Sequence, residues 1–148
     1  YISSEGNKIN DPIAANRFDG ELKNAYLQQL IFANKKTLEI IDSIQEKNPD
    51  NVIILMSDHG GRFGVDWADP TEMDYFRGFN NLSALYFPGQ ESNIPNYVSS
   101  VNIFRIFFNL YFDTNYEILD EKLIWYDYTR PFLHNDVTEL VKSSSLRN

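Results

Sequence analysis

Cysteine is absent from the 148 residues. Its absence excludes disulfides, thiolate metal ligands and cysteine nucleophiles, and leaves the compartment open. No stretch approaches the roughly 18 consecutive apolar residues that a membrane-spanning helix needs, so nothing here is expected to cross a bilayer. Basic residues are in the minority, 13 against 21 acidic, for a net charge of −8. A nucleic-acid partner is therefore not expected, because neutralising phosphates takes a basic face. The same charge offers no attraction to an anionic membrane surface. The polar opening from Ser3 to Lys8 does not read as a signal peptide. Tyr1 in place of an initiator Met predicts a piece of a longer protein.

Apolar and aromatic residues are plentiful: 43% hydrophobic, with eleven Phe and nine Tyr, a composition that can bury a core. Residues 1 to 18 are polar and carry the loop signal Asp11-Pro12. Asp19 reads as a helix N-cap. After it, Leu22, Tyr26, Leu30, Ala33, Thr37, Ile40, Ile41 and Ile44 recur at helical spacing. Asn48-Pro49-Asp50 stops that helix near Lys47. Val52 to Met56 are five apolar residues, three of them β-branched, and predict a strand covered on both faces, as in a parallel sheet. A polar loop from Arg62 to Pro70, a short helix at Thr71–Phe76 and a strand at Leu82–Phe87 ending at Pro88-Gly89 follow. A helix from Val101 to Phe112 and a short strand at Leu123–Tyr126 complete the pattern. Helices alternating with strands predict an α/β fold with a parallel or mixed sheet.

The first strand runs directly into Ser57-Asp58-His59-Gly60-Gly61. In open α/β sheets ligands lie just beyond the carboxyl ends of strands, which is where Asp58 and His59 stand. A carboxylate oxygen beside an imidazole nitrogen suits a divalent metal such as zinc or manganese. Gly60 and Gly61 allow a sharp turn and a close backbone approach to a ligand. The plainer reading of Asp58-His59 is an Asx-turn beside a hydrogen-bonded histidine. Ser57 reads as a strand-end hydrogen-bond partner, since no glycine two residues earlier builds a nucleophile elbow. Arg62 follows closely enough to meet an anionic substrate, whereas Arg105 reads as an ordinary helix arginine. Asp66, Asp69, Glu72 and Asp74 form an acidic loop that could hold a cation or simply be solvated. His134 stands in a polar tail after Arg130-Pro131. Phe104, Phe107, Phe108, Tyr111 and Phe112 read as helix and core packing, not as a base-stacking platform.

Four segments in fixed order resemble the sulfatase-like branch of the alkaline phosphatase superfamily, which includes lipoteichoic acid synthases and phosphoethanolamine transferases. They are Tyr26-x-x-Gln29-Leu30-x-x-x-Asn34, Ser57-Asp58-His59-Gly60, Phe79 to Gly89, and Ser99-Ser100-Val101-Asn102-Ile103-Phe104-Arg105. Together they span roughly residues 20 to 130. The family's proline is replaced by Ser100, which can cap a helix in its place.

The resemblance implies that residues 1–148 are one domain, the C-terminal part of a larger catalytic domain. Its fold would be a three-layer α/β sandwich with a mostly parallel sheet. Asp58 and His59 would be metal ligands, and Arg62 a substrate contact. The cofactor would be a divalent metal, zinc or manganese, with calcium as the alternative, and the substrate a phosphate or sulfate ester. The nucleophile and a further acidic ligand would lie upstream, so this segment would be inactive by itself. The parent would be membrane-anchored and act on the extracytoplasmic face. A non-catalytic α/β binding module, or a degenerate relative that kept the scaffold, is the alternative.

Overall fold

The computed structural model describes residues 2–8, 20–61, 64–67, 69–127 and 130–143. The chain divides into two compact units, Tyr1–Asn51 and Val52–Asn148.

The first unit is dominated by helix α1, Gly20–Lys47. Its expected N-cap, Asp19, lies outside the described residues. Its end matches the Asn48-Pro49-Asp50 signal, with Asn48 N–H still reaching the Ile44 carbonyl at 3.1 Å. An antiparallel bridge between Ile2 and Lys8 folds the opening residues into a small loop. That loop meets the helix at two points: Ser4 N–H donates to Gln28 Oε1 (3.4 Å), and Gly6 faces the Phe32 ring. Of the expected stripe, Leu22, Tyr26, Thr37, Ile41 and Ile44 are half-buried, while Leu30, Ala33 and Ile40 are exposed.

The second unit opens with strand β1, Ile53–Met56, and continues through α2 (Glu72–Phe79) into β2 (Ser83–Tyr86). These two strands form an antiparallel pair in which Ile53 faces Tyr86 and Met56 faces Ser83. A second antiparallel pair joins β3 (Ile124–Tyr126) to β4 (His134–Asp136). The fold is thus mixed α/β, but both sheets among the described residues are antiparallel, which corrects the expectation of a mostly parallel sheet. A parallel crossover must carry the chain back to the start of the first strand. Here α2 returns instead to the end of β1. Gly60 N–H donates to the Gly78 carbonyl (2.9 Å), and Ser57 N–H to the Leu82 carbonyl (3.0 Å). The next strand therefore begins where β1 stops and runs the other way. Nor is β1 covered on both faces: Val52 to Leu55 are half-buried and Met56 is exposed.

Thr71 starts α2 with a capping box, its hydroxyl accepting from Asp74 N–H (3.3 Å) while Asp74 Oδ2 accepts from Thr71 N–H (2.9 Å). The core of this unit centres on Trp125, Val137 and Val141, with Val65, Trp67, Tyr75, Phe79 and Leu123 around them. Trp67 stacks on Trp125 at 4.9 Å between centroids, and Tyr75 meets its edge at 5.1 Å. β4 and the short helix α4 (Thr138–Ser143) close this core in a segment that reads from sequence only as a polar tail. Three exposed residues, His134, Asn135 and Asp136, carry no apolar alternation, so only their pairing with β3 makes them a strand.

Helix α3, Ser100–Tyr111, corrects a second expectation in part. The face it buries is Asn102, Ile103 and Ile106, whereas Phe104, Phe108, Tyr111 and Phe112 are exposed. Half-buried Phe107 meets the fully buried Phe87 at 5.9 Å, as expected of core packing, and Phe108 (5.3 Å), Tyr111 (5.5 Å) and Phe112 (5.6 Å) lie tilted or edge-on around it. The buried face includes one amide, Asn102, because α3 also holds down a strap, residues 114 to 119, that has no strand partner of its own among the described residues. Asn102 donates to the Leu119 carbonyl (2.8 Å) and accepts from Leu119 N–H (3.0 Å). Asn109 does the same for Tyr116, at 2.8 and 2.7 Å. Between them Arg105 donates to the Glu117 carbonyl (3.0 Å). One helix face thus supplies the strap with the hydrogen bonds that a neighbouring strand would give.

Asp136 lies just ahead of α4 and accepts from Thr138 N–H at 3.0 Å. Hydrogen bonds from the Thr138 hydroxyl, and then from its N–H, hold the Asp136 carboxyl below its ordinary range. A depressed carboxylate pKa contributes stability that is present above the unfolded value and lost as pH falls through the folded one. Amide protection in α4 is expected to weaken on acidification through that window. Asp136→Asn should start with weaker protection and lose that component of the pH dependence. An unchanged acid profile of α4 exchange in Asp136→Asn would refute this.

Candidate functional site

The Ser57–Gly60 turn is fixed from both sides before any ligand is considered. Ser57 Oγ accepts from Leu82 N–H (2.9 Å), and Asn81 Nδ2 donates to the Ser57 carbonyl (3.0 Å). Ser57 is thereby a strand-end partner of the returning chain. Gly60 is glycine for a different reason from the one its sequence context suggests. A Cβ there would collide with the Arg77 carbonyl oxygen and lie 2.7 Å from that of Asn80. Gly60 lets the turn press against the end of α2, and approach to a ligand is not what requires it.

Asp58 and His59 project from this turn side by side. Asp58 Oδ1 accepts from His59 N–H at 3.0 Å, which sets the carboxylate's direction. His59 Nδ1 lies 2.7 Å from the Gly60 carbonyl. A carbonyl can only accept, so Nδ1 carries the proton and the lone pair of the neutral ring is on Nε2. That nitrogen stands 3.6 Å from Asp58 Oδ2. Both side chains are open to solvent, the carboxylate 87% exposed and the imidazole 43%. A polar contact so exposed contributes little to stability.

The spacing can be compared with what a metal requires. Nitrogen and oxygen ligands at about 2.1 Å in a tetrahedral shell lie roughly 3.4 Å apart. The observed separation is close to that, and the donor types suit zinc or manganese. Tying Nδ1–H to a backbone carbonyl is the usual way a ligating histidine is oriented. Two donors do not complete a shell. Among the described residues no group of three or more His, Asp or Glu side chains is gathered as for a metal ion.

The remaining candidates lie elsewhere or have other partners. Arg62 is outside the described residues. In the acidic loop, Asp74 is committed to the α2 capping box, and Asp66 Oδ1 accepts from Asp69 N–H (3.3 Å). His134 sits on exposed β4 opposite Tyr126. Arg105 belongs to the α3 strap, as does Asn102. Sequence reasoning passed over Asn102 as a structural residue although it stands in the Val101-Asn102-x-Phe104-Arg105 segment; the signal was an amide amid apolar neighbours. No family model, curated protein or solved structure matches the chain.

Proposed function

We propose that this chain contributes Asp58 and His59 as two ligands of a divalent metal in a hydrolase or transferase acting on phosphate or sulfate esters. The observation that carries the reading is the 3.6 Å approach of His59 Nε2 to Asp58 Oδ2, with Nδ1 held by the Gly60 carbonyl. A ring nitrogen with a lone pair and a carboxylate oxygen lie side by side at chelating distance, at the exit of a strand. The ordered resemblance to the sulfatase-like branch of the alkaline phosphatase superfamily supports the same assignment, and the Asp-His pairing leans toward phosphoryl chemistry. A metal bound there would supply Lewis-acid neutralisation of the transferring group and a nucleophile of lowered pKa.

Asp58 and His59 hold and orient; the nucleophile and at least one more acidic ligand come from elsewhere in the parent polypeptide. The larger catalytic domain of this reading rests on the ordered resemblance. On this reading the parent is anchored to a membrane and works on its extracytoplasmic side.

Titrating the 148-residue chain with Mn²⁺ while recording amide spectra tests the ligand assignment. Paramagnetic broadening is expected to centre on residues 57–61. Asp58→Ala and His59→Ala should each weaken it by more than about tenfold. Broadening centred on Asp66 to Asp74, or indifferent to both substitutions, would remove the assignment. In the intact parent, either substitution should cut turnover of nitrophenyl phosphate or sulfate esters by about a hundredfold or more. Unchanged turnover would end the enzyme reading.

A further inference from the structure

We propose that a cleft in the second unit, bounded by α2, β2 and the loop at residues 94–98, binds a neutral carbohydrate. This goes beyond the metal reading and does not depend on it. The cleft encloses about 580 Å³, within the usual range of small-ligand sites. Its lining joins the aromatic rings of Phe76, Phe79 and Tyr97 to the amides of Asn80 and Asn96 and the carboxylate of Glu121.

Each component matches one feature of a sugar. A pyranose presents an apolar C–H face ringed by hydroxyls, and each hydroxyl both donates and accepts. Tyr97, 79% exposed, offers a broad flat surface that costs little conformational freedom to order. An amide side chain also donates and accepts, so it pairs with hydroxyls without requiring charge. Neither the Asn80 nor the Asn96 side chain hydrogen-bonds to another of the described residues.

Charge narrows the class further. Among the described residues, Glu121 is the one charged side chain lining the cleft, and Lys142 Nζ lies 3.4 Å from its carboxylate. None of the described Lys or Arg residues lines it, so a phosphate or sulfate group would meet a carboxylate whose neighbouring cation, Lys142, is already paired with it. A wholly apolar ligand would strand the amides away from water without partners. A neutral, hydroxyl-rich ring with one apolar face satisfies every group.

The test is a glycan array carrying neutral, sulfated and phosphorylated saccharides, probed with the full 148-residue chain. The strongest neutral binder is then followed by saturation-transfer NMR in solution. Neutral saccharides are expected to bind. Tyr97→Ala and Asn96→Ala, both at exposed positions, should each weaken binding about tenfold while leaving the circular dichroism spectrum unchanged. EDTA and Asp58→Ala should have no effect. Binding of anionic saccharides alone, no binding of any neutral saccharide, or binding that survives Tyr97→Ala would overturn the proposal. Loss of binding with EDTA or Asp58→Ala would also overturn it, by moving the ligand to the metal centre. The Mn²⁺ result stands or falls separately.

Discussion

Gly60→Ala is expected to destabilise the second unit by about 3 kcal/mol or more. The new methyl would overlap the Arg77 carbonyl and lie 2.7 Å from the Asn80 carbonyl, and both are backbone atoms at the end of α2. Neither can rotate aside as a side chain would, so the helix end or the turn must move. Movement breaks the Gly60 N–H bond to Gly78 and displaces the neighbouring Asp58 and His59. Urea denaturation should show the loss, and Mn²⁺ broadening at residues 57–61 should fall with it. Gly64→Ala is the control. Gly64 has φ +70°, and none of the described residues comes within 4 Å of where its methyl would stand, so only left-handed strain of about 1 kcal/mol applies. If Gly60→Ala were no worse than Gly64→Ala, the close approach of turn and helix would be refuted.

Asn102→Ala is expected to cost about 3 kcal/mol and to release the strap locally. The side chain is 6% exposed and satisfies both polar groups of Leu119, while also donating to Ser99 Oγ at 3.0 Å. Alanine would leave those backbone groups unpaired beside the helix. Asn102→Asp keeps the acceptor for Leu119 N–H but sets a carboxylate against the Leu119 carbonyl, so it should fare no better. Hydrogen exchange separates this from general loosening. The Leu119 amide should lose protection in Asn102→Ala, while the Tyr116 amide, held by Asn109 at 2.7 Å, should retain most of its own. Equal loss at both amides would show that the strap opens as one piece and that Asn102 is not its individual clasp.

Several local features were legible because their causes lie within a few residues. Asn48-Pro49-Asp50 ends α1 where proline geometry requires it. Pro88-Gly89 turns the chain out of β2 with Gly89 at φ +74° and a 3.0 Å bond from Gln90 N–H to the Phe87 carbonyl. The helix read at Val101–Phe112 is shifted by one residue, to Ser100–Tyr111. The direction of β2 was not legible, because an apolar run says that a strand is half-covered or buried and nothing about which way its partner runs. The polar contacts along α3 are hidden from the sequence for a related reason. Aromatic residues at helical spacing read as core, yet the strap's backbone needs partners and takes them from Asn102, Arg105 and Asn109, leaving most of the rings at the surface.

The candidate site divides along the same line. Its chemistry, a carboxylate and an imidazole adjacent at a strand exit, is written in four consecutive letters. Its geometry is not. The Nε2 lone pair is available because Nδ1–H donates to the Gly60 carbonyl. The turn that aims both groups is held by Asn81, Leu82 and Gly78, between 18 and 25 residues further along the chain. Short-range signals such as caps, breakers and turn glycines act through a handful of dihedrals and are the same in any fold. Pairing across some twenty residues depends on which of several compatible partners the whole chain can pack at once, and that choice has no local energy to read.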